Sequence, residues 1–73
     1  MSLIDVYMKF YEYQEKLNRI QELAKRNATG SPKELAQRIN VSERTLFRLV
    51  QNIKEQGIPM EYCRKANTYS INN

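Results

Sequence analysis

Leu3, Val6, Phe10, Tyr13, Leu17, Ile20 and Ala24 recur at spacings that alternate between three and four residues. A helical period returns all of those positions to one face, so the stripe predicts a single long helix from about Leu3 to Arg26. Leu23 widens the stripe near its end, as a helix seated on a core requires. Asn27, Thr29 and Gly30 then read as a stop and a loop. Such a helix is about 36 Å long at a rise of roughly 1.5 Å per residue, more than the rest of so short a chain can cover. Leu17, Ile20, Leu23 and Ala24 are therefore expected in the core. Val6, Tyr7, Phe10, Tyr11 and Tyr13 are left over as an aromatic patch. Two readings of that patch stand level: a contact with a second copy of the chain, or packing back onto Tyr62, Tyr69 or the third helix.

Two shorter helices follow. Ser31-Pro32-Lys33-Glu34 has the form of a capping box, in which the serine accepts from the amide three residues on and the glutamate reaches back. Pro32 falls at the first helical position, where a missing N–H costs nothing. Leu35, Ala36 and Ile39 make the apolar face, Asn40 suits the left-handed residue that ends the helix, and Val41 is expected to fill the corner. Ser42 caps a third helix, whose Leu46, Leu49, Val50 and Ile53 follow the i, i+3, i+4, i+7 pattern up to a stop at Gly57. At about 100° per residue, Arg44, Arg48, Gln51 and Glu55 lie opposite that stripe. Thr45 and Asn52 flank them on one side, Phe47 and Lys54 on the other.

Past Gly57 the period drops to two. Ile58, Met60 and Tyr62 alternate with Pro59, Glu61 and Cys63, Arg64-Lys65-Ala66-Asn67 interrupts, and alternation resumes from Thr68 to Ile71. Pairing Cys63 with Thr68 sets Tyr62 against Tyr69 and Met60 against Ile71. Both apolar pairs then share a face, so this register predicts a hairpin with Arg64 and Lys65 at its tip. The chain reads as mainly α with a small β-hairpin: a three-helix winged helix-turn-helix with an extended first helix. One domain is expected over residues 1–73, with 1–16 as a helical extension and 58–71 as the wing.

Composition narrows the chemistry. At 73 residues, 41% hydrophobic and 27% charged, the chain suits a small globular domain with no room for a deep pocket, and no small-molecule ligand is expected. No apolar run approaches a membrane span and no signal-peptide core follows the first residues, so a cytoplasmic protein with no membrane partner is expected. Cys63 is the only cysteine, which excludes an internal disulfide. There is no histidine, so neither a Cys/His metal site nor a Ser-His or Cys-His pair can be assembled. No catalytic residue, metal or cofactor is expected, and the chain does not read as an enzyme. The net charge of +4 is unevenly placed. Residues 1–24 carry three basic against four acidic side chains, residues 25–73 nine against four. The basic excess lies with the second and third helices and the hairpin, which favours a polyanionic partner, nucleic acid before membrane.

The stretch KELAQRINVSERTLFRLVQNIKEQGIPMEYCRKANTYSI resembles the DNA-binding module of DeoR-type, WYL-type and biotin-repressor-type bacterial regulators. There the pattern reads approximately ELA..L.VS.RTI.RDI..L...G.PIEY before the wing. The resemblance covers about residues 17–71, and the segments VSERTLFRLV and GIPMEY carry most of its specificity. Asn40 stands where that family usually has glycine, and asparagine also accepts a left-handed turn. Those regulators carry a ligand-sensing domain after the module. With the sequence ending at Asn73, the expectation is a stand-alone regulator in the nucleoid, similar to the small helix-turn-helix proteins of bacterial genomes and mobile elements.

The resemblance implies double-stranded DNA as partner, with the third helix in the major groove and the wing on backbone or minor groove. Arg44 and Arg48 are then the leading candidates for base edges, since a guanidinium binds guanine bidentately for roughly 1–3 kcal/mol of discrimination. Thr45, Gln51 and Asn52 are secondary candidates. Ser31, Lys33, Ser42, Phe47, Lys54, Arg64 and Lys65 are expected to position the DNA backbone through hydroxyls, charge or packing. A homodimer joined through the aromatic patch would set two third helices about 34 Å apart, one turn of DNA. Two alternatives use the same scaffold: a protein-interaction adaptor, and an architectural or excision factor of a mobile element that bends DNA.

Overall fold

Three helices and a hairpin condense around one apolar core. The computed structural model describes the backbone of residues 3–71 and the side chains of residues 9–71. In chain order the elements are α1 (Leu3–Lys25), α2 (Pro32–Arg38), α3 (Glu43–Glu55), β1 (Met60–Cys63) and β2 (Thr68–Ile71). The strands pair antiparallel, with Met60 opposite Ile71, Tyr62 opposite Tyr69 and Cys63 opposite Thr68. The alternation of apolar residues predicts the same register. The fold is mainly helical with a small hairpin, in a winged helix-turn-helix arrangement.

All three helices stop by the same device. Asn27, Asn40 and Gly57 adopt left-handed conformations, with φ of 53°, 59° and 88°. In each case the left-handed residue's amide bonds three residues back, and the next amide reaches five back: Ala28 to Leu23 (2.9 Å), Val41 to Ala36 (2.9 Å) and Ile58 to Ile53 (3.4 Å). This is the Schellman pattern, which satisfies carbonyls that a helix end would otherwise leave open. Asn67 turns the hairpin with φ 52°. Asparagine thus takes the left-handed position at three reversals in a chain that has two glycines.

Every element contributes to the core. Leu17, Ile20 and Ala24 of α1 meet Leu35 and Ala36 of α2, Leu46, Leu49, Val50 and Ile53 of α3, and Met60 and Tyr69 of the hairpin. Ile39 joins them, and Leu23, Val41, Ile58, Tyr62 and Ile71 pack at the margin. Tyr62 and Tyr69 stack at a tilt across the strands, ring centroids 5.1 Å apart. Burial, and to a lesser extent the neighbouring Tyr62, raises the Tyr69 phenol above its ordinary pKa. The described side chains from Lys9 to Glu15 are all exposed, and burial begins at Lys16 and Leu17. The first helix therefore runs beyond the core, and the molecule is 46 Å along its longest axis.

One contact has no periodic signature in the sequence. Thr29, in the loop after α1, is fully buried, as is Thr68 at the start of β2 to within 4%. The Thr29 N–H donates to Thr68 Oγ1 (3.1 Å), the Tyr69 N–H donates to Thr29 Oγ1 (2.7 Å), and the two hydroxyls lie 3.0 Å apart. The loop read as a simple stop is thus stitched to the wing, tying the hairpin to the first helix. Thr29→Val keeps the shape but leaves the buried Tyr69 amide without its acceptor. The variant is expected to lose roughly 1–3 kcal/mol of stability, seen as a lower urea midpoint at unchanged m. An unmoved midpoint would show that the network contributes nothing net.

Candidate nucleic-acid interface

The second and third helices start as their sequences dictate. Ser31 Oγ accepts from the Glu34 amide (3.2 Å) and Ser42 Oγ from the Thr45 amide (3.1 Å), so each serine closes one open donor of its helix. The reach-back of Glu34 differs in detail from the expected capping box. Its carboxylate accepts from the Ser31 hydroxyl (3.3 Å), and the Ser42 hydroxyl donates to Thr45 Oγ1 (3.1 Å). Both serine hydrogens are therefore engaged inside their own caps, and a phosphate contact from either hydroxyl requires that bond to be exchanged.

The sequence of α3 places four apolar side chains inward and leaves the opposite face to solvent. Leu46, Leu49, Val50 and Ile53 are buried, while Arg44, Thr45, Arg48, Gln51, Lys54 and Glu55 are exposed. Phe47 is 51% exposed on this outer side. Lys33 in the first turn of α2 is exposed, as are Arg64 and Lys65 in the turn between the strands. Not every cation is available in this way. The Lys16 ammonium donates to the Ile39 carbonyl at the end of α2 (2.9 Å), and the Arg38 guanidinium donates to the Ala28 carbonyl (2.8 Å). Those two serve the fold by closing open helix and loop carbonyls.

Asn52 is placed differently from its neighbours in the base-reading set. It is half-buried, its Nδ2 donates to the Tyr13 hydroxyl (2.8 Å), and its Oδ1 accepts from Gln56 Nε2 (2.9 Å). One end of its amide is engaged by α1 and the other by the C-cap residue of α3 itself. Tyr13 accordingly touches the third helix through its hydroxyl, one of the two readings of the aromatic patch, although its ring stays 40% exposed. Phe10 and Tyr11 remain 67% and 61% exposed. The side chains of Val6 and Tyr7 lie outside the described residues.

Elsewhere, α1 and the end of α2 border an open groove lined by Glu12, Glu15 and Glu22 and by Lys16, Arg19 and Arg38. It is balanced in charge and wide to solvent, unlike the enclosed, mostly apolar pocket that a small ligand needs. Among the described residues no cluster of His, Cys, Asp or Glu is placed to hold a metal ion, and no helix is long and apolar enough to cross a membrane. Cys63 is exposed and free.

No family model, curated protein or solved structure matches the chain. The reading of its function therefore rests on the residues and their placement.

Proposed function

We propose that the protein is a sequence-specific binder of double-stranded DNA, a small transcriptional regulator of the DeoR, WYL and biotin-repressor type that works in the cytoplasm on the nucleoid. The observation that carries this reading is the exposed face of α3. A serine cap starts the helix, four buried residues fix its rotation, and Arg44, Thr45, Arg48 and Gln51 project from its first turns. A helix so mounted fits the major groove with its amino end against base edges. Arg44 and Arg48 supply bidentate donors for guanine, Thr45 and Gln51 shorter polar contacts, and Lys33, Lys54, Arg64 and Lys65 charge for the phosphates. Asn52, held by Tyr13 and Gln56, acts in this scheme by steadying α3. The exposed Phe10 and Tyr11 are the surface we assign to a second copy, which would bring a second α3 to a second half-site. No catalytic step or cofactor enters the scheme.

Selection from random duplexes, followed by binding at several salt concentrations, tests this reading. The expected result is an enriched site whose affinity falls steeply between 50 and 200 mM salt, about ten-fold or more for even a few displaced phosphate counterions. An inverted repeat with half-sites about one helical turn apart supports the paired arrangement, and a lone half-site removes it. Failure to enrich any duplex, or affinity indifferent to salt, would favour a protein-docking scaffold instead.

A further inference from the structure

Phe47 is the one large apolar side chain exposed on α3, and it shares that face with the arginines. Counting about 100° per residue, it stands roughly 60° from Arg44, with Gln51 between them and Lys54 just beyond. The buried stripe of α3 accounts for Leu46, Leu49, Val50 and Ile53 without it. A ring half open to water amid cations suits a partner that is anionic overall yet offers an isolated apolar group at contact distance. The floor of the major groove fits that description: each base pair presents polar edges, and the hydrocarbon exposed there is the 5-methyl group of thymine.

We infer that Phe47 is a specificity-determining residue whose ring packs on a thymine methyl group, so that the site it reads contains a required thymine beside the bases contacted by Arg44 and Arg48. The inference rests on the DNA-binding reading and changes the role of Phe47 within it, from backbone packing to base recognition. Helix geometry places Phe47 one turn after Arg44, so the required thymine lies next to or one pair removed from the arginine-contacted base.

The test uses the selected duplex with deoxyuridine replacing each thymidine in turn, which removes one methyl group and leaves the hydrogen-bonding edges intact. One replacement is expected to weaken wild-type binding about four-fold, the worth of burying a single methyl group. Phe47→Ala is expected to bind the thymine and uracil duplexes equally. That substitution is at an exposed helical position and introduces the best helix former, so its thermal melt should match the wild type. If no thymine-to-uracil replacement separates wild type from Phe47→Ala, the inference is overturned, even with salt-dependent binding intact. If Phe47→Ala also leaves DNA affinity unchanged, the ring belongs to a protein contact. Failure to enrich any duplex is a different result, and it removes the parent reading along with this one.

Discussion

Arg44→Ala combined with Arg48→Ala is expected to weaken binding to a selected duplex by about thirty-fold or more, with no loss of thermal stability. Each guanidinium lies exposed on α3, and each bidentate contact to guanine is worth roughly 1–3 kcal/mol, so the pair spans about one and a half to four powers of ten. Neither contributes to the core, and alanine in their place preserves helix propensity. Sequence preference carries a second readout. Arginines that meet base edges change affinity and relax sequence preference at their own positions, whereas removal of a phosphate contact lowers affinity evenly across sequences. Binding to the selected site at wild-type strength by the double variant would refute the groove-reading role of this face.

The largest expected change in stability comes from the neighbouring position on the opposite side of the same helix. Leu46 is fully buried between the helices, and Leu46→Ala removes its methyl groups and leaves a cavity in a small core. Such truncations cost about 2–5 kcal/mol, a large share of the roughly 5–15 kcal/mol that holds a typical domain together. A fall in Tm of at least about 10 °C is expected, since each kcal/mol moves a domain of this size by about 4–8 °C. Phe47→Ala, one residue on, should move it by less than about a quarter of that, as an exposed position does. Equal shifts for the two variants would mean that the helix is rotated from the orientation described.

The contrast between Leu46 and Phe47 also shows what the sequence makes legible and why. The inner stripe of α3, the serine caps, the left-handed Asn40 and the strand register follow from local rules of period and turn chemistry, and they can be read residue by residue. Two of the polar contacts that join distant parts of the chain cannot. Thr29 reads as an ordinary loop residue, and its bond to Thr68 spans 39 positions. Tyr13 reads as one of several aromatics on a helix, and Asn52 as a donor on the face of another, until the fold brings the two within 2.8 Å. Such pairs repeat at no interval and resemble their polar neighbours in composition. The end of the first helix is legible in part: the stripe continues to Leu3, but burial stops near Lys16 because the remaining elements are too short to follow it.

The repeated helix stop has a consequence for the thermodynamics of association. At the turn between α2 and α3, the Asn40 and Val41 amides are bonded to the helix behind, and the Ser42 cap closes the helix ahead. Little backbone freedom is left at that corner to be surrendered on contact. Whatever α3 meets, it meets as an already frozen edge. The ordering cost that flexible segments bring to complex formation falls on the partner and on the long outward side chains alone.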